Sequence, residues 1–199
     1  QRASGKALKD FDRLQMCGGF PWCIASIPIP SWAVRVFPDK GEAEAVEALW
    51  DAIFSAVRIT GGGGAVDRWR EHLETLERRL GKLNALNLKS LHYANSLGTD
   101  LTVELPEGHI WESGGDRTLS GRSYIANIPT EEIFTSPLKT GASGVVYSSM
   151  PLVHDGNVID KFRFVVKEGK IVEAQAEQGE ETLRAAISVD EGAAYFGEV

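Results

Sequence analysis

The sequence predicts an α+β fold: a helical hairpin, then a largely antiparallel β-sheet, then a short C-terminal helix. Three observations carry this. Between Glu42 and Leu86 apolar residues recur at spacings of three and four, the period of an amphipathic helix. After Leu88 the period falls to two and glycines multiply, as expected of strands. Two turn signals, His154-Asp155-Gly156-Asn157 and Glu168-Gly169, then separate apolar runs as hairpin loops do. A chain of 199 residues suits one domain with or without a small appendage, and it can bury a core without staples.

Residues 1–19 are polar with sparse apolar positions and read as a short helix or arm ending at Gly18-Gly19. The run PWCIASIPIP, 21–30, is apolar and bounded by prolines, which suits a short buried strand. Ser31 to Phe37 reads as a helical turn with Ser31 as cap and Pro38 as stop. From Glu42 to Arg58, Ala45, Val46, Leu49, Trp50, Ile53, Phe54 and Val57 share one helix face. Glu42, Glu44 and Glu47 suit its positive end and Arg58 its negative end. Gly61 to Gly64 stops it. A phosphate loop there would need a strand before and Lys-Ser/Thr after, so the glycines read as a linker. A second helix, Val66 to Leu86, carries the stripe Val66, Trp69, Leu73, Leu76, Leu80 and Leu83. Strands are expected at Ser90–Ala94, Asp100–Leu105, His109–Glu112, Gly144–Ser149, Val158–Lys167 and Lys170–Ala176. Ser113 to Ser123 reads as an exposed loop, and Glu180 to Ser188 as a last helix. The terminal run DEGAAYFGEV looks like the entry to another core element.

With 43% hydrophobic and 25% charged residues, collagen-like, disordered and disulfide-scaffold classes are excluded. No apolar run approaches the roughly 18 residues of a membrane helix, and the start has no signal-peptide centre, so no membrane partner is expected. No initiator Met is present, so Gln1 need not be a natural start. The net charge of −7 argues against nucleic acid as a partner. The two cysteines, Cys17 and Cys23, match no CxxC motif and lie among apolar residues. They read as buried free thiols in a reducing cytoplasm.

The four histidines, His72, His92, His109 and His154, share no metal-binding spacing. His72 sits among charges on a helix and reads as solvated. Adjacent carboxylates in IPTEEIF, Glu131 and Glu132, are more suggestive. If the segment opens a helix, Thr130 is an N-cap and the glutamates complement the dipole. Otherwise, one carboxylate binds a hard or borderline cation while its neighbour polarises a water. By pattern alone Glu191 and Glu198 are solvated helix residues.

Four segments, however, resemble the thermophilic aminopeptidase family of two-metal metalloaminopeptidases: Phe20–Asp39, Ser96–Gly115, Asn127–Ser149 and Asp190–Val199. The blocks NIPTEEIFTSP and GTDLT…LPEGHIW carry it most specifically. The resemblance implies a cytoplasmic hydrolase that releases N-terminal residues from peptides, uses two divalent ions (cobalt or zinc) and forms a homodimer. It implies Glu132 and Glu198, 66 residues apart, as metal ligands. Analogy with other two-metal aminopeptidases suggests Glu131 as the water-activating base. The family's two histidines, aspartate and tyrosine match nothing here, and His109 does not fill the gap. The chain thus reads as an internal piece, with 1–87 the end of an N-terminal domain and linker, and 88–199 the first half of a catalytic domain. Metal binding by the piece alone is expected to be weak or absent. A non-catalytic fold or dimerisation module is the alternative. A glycosidase using Glu131 or Glu132 is a third reading, but it leaves the other matched blocks unexplained.

Overall fold

The computed structural model describes residues 2–199, with side chains from Ala7 onward. In chain order the elements are α1 (Arg2–Met16), β1 (Ile24–Ala25), α2 (Pro30–Val36), α3 (Glu42–Ala56), α4 (Ala65–Leu86), β2 (Ser90–Ala94), β3 (Asp100–Glu104), β4 (Glu112–Ser113), β5 (Gly115–Arg117), β6 (Ser123–Ile125), β7 (Asn127–Ile128), β8 (Ile133–Phe134), β9 (Ala142–Tyr147), β10 (Leu152–His154), β11 (Asn157–Ile159), β12 (Arg163–Lys167), β13 (Lys170–Gln175) and α5 (Glu180–Ala186). The chain divides into two compact units: Gln1–Gly81 with Glu112–Ile133, and Lys82–Trp111 with Phe134–Val199.

In the first unit the helical core is Ala33 of α2 against Ala45 and Leu49 of α3, flanked by Val34, Phe37, Val46 and Ile53. Two alanines at that contact let the helices approach closely. The buried residues of α3 thus face α2, whereas hydrogen bonds reach the end of α3 from α4: Trp69 Nε1 donates to Val57 O at 2.8 Å and Arg68 Nε to Arg58 O at 2.8 Å. Pro30 occupies the first turn of α2 and Ile29 its cap position; Ser31 is inside the helix rather than capping it. Leu119 N–H donates to Gly18 O at 2.9 Å, which ties the end of α1 to the β5–β6 hairpin. The segment expected as one exposed loop, Ser113 to Ser123, instead holds β5, the turn and the start of β6 of that hairpin. Both cysteines are exposed free thiols, not buried ones. The strand that Cys23 was expected to sit in shrinks to Ile24–Ala25, paired in parallel with β7.

The second unit is built on an antiparallel sheet in the order β13-β12-β9-β3-β2. In β3, Leu101 and Val103 point into the core while Asp100, Thr102 and Glu104 face out, the alternation the sequence shows. Ala142 and Val166 join them, with Val146, Phe164, Ile171, Phe196 and Val199 packed around. A second cluster of Ile159, Ala174 and Leu183 seats α5. The β12–β13 turn has Glu168 at φ 49° and Gly169 at φ 78°; the β10–β11 turn has Asp155 at 50° and Gly156 at 78°. Two successive left-handed residues are what a tight twisted hairpin requires. The run expected as one strand, Val158–Lys167, is broken into β11 and β12, with Lys161 between them at φ 47°. His109 and Ile110 are not strand; the Asn84 side chain clamps Trp111 there, donating to its O at 3.2 Å and accepting from its N at 2.8 Å.

Candidate functional site

The NIPTEE segment opens no helix. Asn127–Ile128 is strand, residues 130–132 are irregular, and Ile133–Phe134 is strand again. Thr130 is 3% exposed and so is no cap at a solvated helix end. Its side chain packs onto Gly114, where a Cβ would collide with it. Ser113 Oγ donates to Glu132 O at 2.7 Å, fixing the backbone at the second glutamate. The Glu132 side chain is left exposed.

Glu131 has partners. Arg58 Nη2 donates to its Oε2 at 2.9 Å, and Nη1 lies 2.7 Å from Oε1. His72 Nε2 stands 3.5 Å from Oε2 and 2.7 Å from Thr130 O. Hydrogen bonding from Arg58 holds the Glu131 carboxyl below its ordinary pKa; partial burial opposes the shift and is outweighed. An ionised carboxylate can accept a proton, but one bridged to a guanidinium is a weaker acceptor than a free one. His72, expected to be solvated, is 13% exposed and hydrogen-bonded within this group. Only its place among charged helix residues was visible in the sequence. The partner it meets comes from a segment 58 residues away.

Glu198 lies in the second unit. It is exposed and lines a cleft of about 480 Å³ with His92, Tyr93, Val146, Tyr147 and Phe196. Beside it, Val199 N donates to Thr135 O at 3.0 Å and Thr135 N to Val199 O at 2.9 Å. This reciprocal pair joins the end of the NIPTEEIFT segment to the end of GEV. Thr135 is buried and its Oγ1 donates to Ile110 O at 2.7 Å. Glu191, read as a solvated residue, is exposed.

Carboxylate oxygens suit hard and borderline divalent cations. Among the described residues, however, no group of three or more His, Cys, Asp or Glu is placed to hold a metal ion. The residues present therefore do not by themselves fit a two-metal centre.

Comparison with known proteins decides the family. A sequence model of the thermophilic metalloprotease (M29) family matches residues 1–199. The chain belongs to this family. Aminopeptidase AmpS of Bacillus subtilis is 40% identical over 199 residues, covering all of this chain and 48% of AmpS. Aminopeptidase T of Thermus thermophilus is 41% identical over 178 residues, 89% of this chain and 43% of that protein. The solved structure of wild-type AmpT from Thermus thermophilus matches with a TM-score of 0.84 at 38% identity, over all of this chain and 50% of that one. The chain spans about half the length of the curated M29 relatives it matches. Its α+β architecture is that of the corresponding half of AmpT. Among the described residues, no helix is long and apolar enough to cross a membrane.

Proposed function

We propose that this chain is part of a metal-dependent aminopeptidase that releases N-terminal residues from peptides, supplying Glu132 and Glu198 as metal ligands and Glu131 as the base. What carries the reading is the Glu131 carboxylate directly before Glu132, ion-paired to Arg58 on one side and open on the other. The M29 match over the whole chain supports it. When bound, two divalent cations, cobalt or zinc, supply an acidified water and a polarised carbonyl.

This chain's own residues do three things in that scheme. Glu132 and Glu198 offer oxygens to cations. Glu131, held ionised by Arg58 and open on its other side, would be the group that takes a proton from water and returns it to the departing amine. The cleft beside Glu198 offers apolar wall to the peptide's terminal side chain. We place the enzyme in the cytoplasm as a homodimer; free thiols at Cys17 and Cys23 support the compartment. The isolated 199 residues are expected to be inactive, because three of the five ligands implied by the family resemblance match nothing in them.

A second reading, a non-catalytic fold or dimerisation module, is favoured by the row of exposed apolar residues on α1: Leu8, Phe11 and Leu14. Hydrolysis of an N-terminal-leucine chromogenic substrate, with cobalt or zinc and an EDTA control, separates the two. Metal-dependent turnover by the whole gene product supports the peptidase. Its absence from folded, metal-supplemented whole gene product sinks that reading and leaves the module.

A further inference from the structure

The bend between α3 and α4 is locked more firmly than a linker needs. Arg58 stands at φ 62°, a left-handed backbone uncommon for a residue with a long side chain. Hydrogen bonds to the carbonyls of Val57 and Arg58 hold this conformation from α4, as described above. Arg68 adds a bond to Thr60 O at 3.2 Å. The Arg58 guanidinium lies 5.4 Å from the Trp69 ring centre and reaches both oxygens of Glu131.

His72 completes the group. Arg58 Nη2, which can only donate, lies 3.1 Å from His72 Nδ1, so Nδ1 accepts. The ring proton is therefore assigned to Nε2, which donates to Thr130 O. Trp69 meets the same ring edge-on at 5.7 Å between centres. One helix elbow thus grips two consecutive residues of the NIPTEE segment, one by its carboxylate and one by its carbonyl.

The grip immobilises without burying. Arg58 is 24% exposed and His72 13%, whereas the Glu131 side chain keeps 56% of its surface open. A buried structural pair would close over its acid, and a solvated pair would leave its base mobile. Here the acid is fixed on one side and accessible on the other.

We propose that Arg58 and His72 are positioning residues of the peptidase, aiming the Glu131 carboxylate and the Thr130 carbonyl so that the Thr130–Glu132 turn presents its carboxylates in one orientation. The inference rests on the aminopeptidase reading above. It goes beyond it by assigning a role to a helix elbow far away in sequence.

The test compares Arg58→Met, Arg58→Lys, His72→Leu and His72→Gln in the metal-supplemented whole gene product. Arg58→Met is expected to lower kcat by about 10- to 100-fold with KM changed less than about twofold, since misaimed groups cost rate more than binding. Arg58→Lys recovers little, because an ammonium lacks the planar guanidinium that meets the Glu131 carboxylate and His72 Nδ1 together. His72→Leu lowers kcat, and His72→Gln, whose amide N–H can still donate to Thr130 O, recovers most of it. In metal-free protein the melting-temperature loss from Arg58→Met shrinks in a Glu131→Gln background, because both changes remove one contact. If all four variants keep wild-type kcat and only melt earlier, the cluster is structural and the proposal falls while the peptidase reading stands. If the wild-type protein itself shows no metal-dependent turnover, both fall.

Discussion

At Gly114 the chain leaves no room for a side chain. Thr130 occupies the space where a Cβ would stand, and Thr130 is the residue before the paired glutamates. Gly114→Ala is expected to cost about 1–3 kcal/mol by overpacking, read as a lower denaturant midpoint, and to displace the NIPTEE turn. The same scale holds the proposed ligands. Glu132→Gln or Glu198→Gln in the whole gene product should weaken metal binding by at least about 10- to 100-fold, the loss typical of even an outer-shell partner, measured by chelator competition. Retained affinity in both variants would remove these residues from the ligand set. Glu131→Gln should instead lower turnover while leaving metal affinity near wild type. The paired glutamates stand out in the sequence because charged neighbours between Pro129 and Ile133 are conspicuous. Their unlike surroundings do not: Arg58 and His72 reach one acid, Ser113 fixes the other's backbone, and all three are remote in sequence.

Among the elements, α5 shows how a short helix is held. Ala176 N–H donates to Glu180 Oε2 at 3.0 Å, and Arg184 Nε donates to Oε1 at 3.0 Å. The backbone hydrogen bond first, and Arg184 second, hold the Glu180 carboxyl below its ordinary pKa. A carboxyl whose folded pKa is depressed contributes stability above its unfolded pKa, near the usual glutamate range, and loses it as pH falls through the folded value. The chain's stability should therefore decline as the medium is acidified below that range, and Glu180→Gln should flatten this part of the pH profile. An identical acid limb in the variant would place the titrating group elsewhere. In the sheet, Val103 is 1% exposed and central to β3. Val103→Ala is expected to cost about 2–3 kcal/mol through lost burial and the cavity left behind, visible in urea unfolding.

For the whole molecule, the relation to its relatives governs what can be expected. The chain matches 48% of AmpS and 50% of the AmpT chain, so the five helices and antiparallel sheet of its described residues answer to about half of such a protein. The isolated 199 residues should show no cobalt- or zinc-dependent release of N-terminal leucine, and a folded sample that turns over would show that its own residues complete a site. Light scattering on the same sample tests association through the apolar face of α1. Monodisperse monomer at high concentration would count against the dimerisation-module reading.

The sequence determined the helices of regular period, the hairpins at Asp155-Gly156 and Glu168-Gly169, and the alternation of β3, because these patterns are local. Its motif blocks also determined the family, since residue order survives without coordinates. Where an element's fate depended on a partner, local pattern misled: Val158–Lys167 broke in two, Ser113–Ser123 formed a hairpin, Cys17 and Cys23 stayed exposed, and Thr130 was buried rather than capping a helix. Only tertiary structure could set Arg58 against Glu131, 73 residues on, or Thr135 against Val199. Such contacts arise from how helices and strands pack, and no window of neighbouring residues contains both partners.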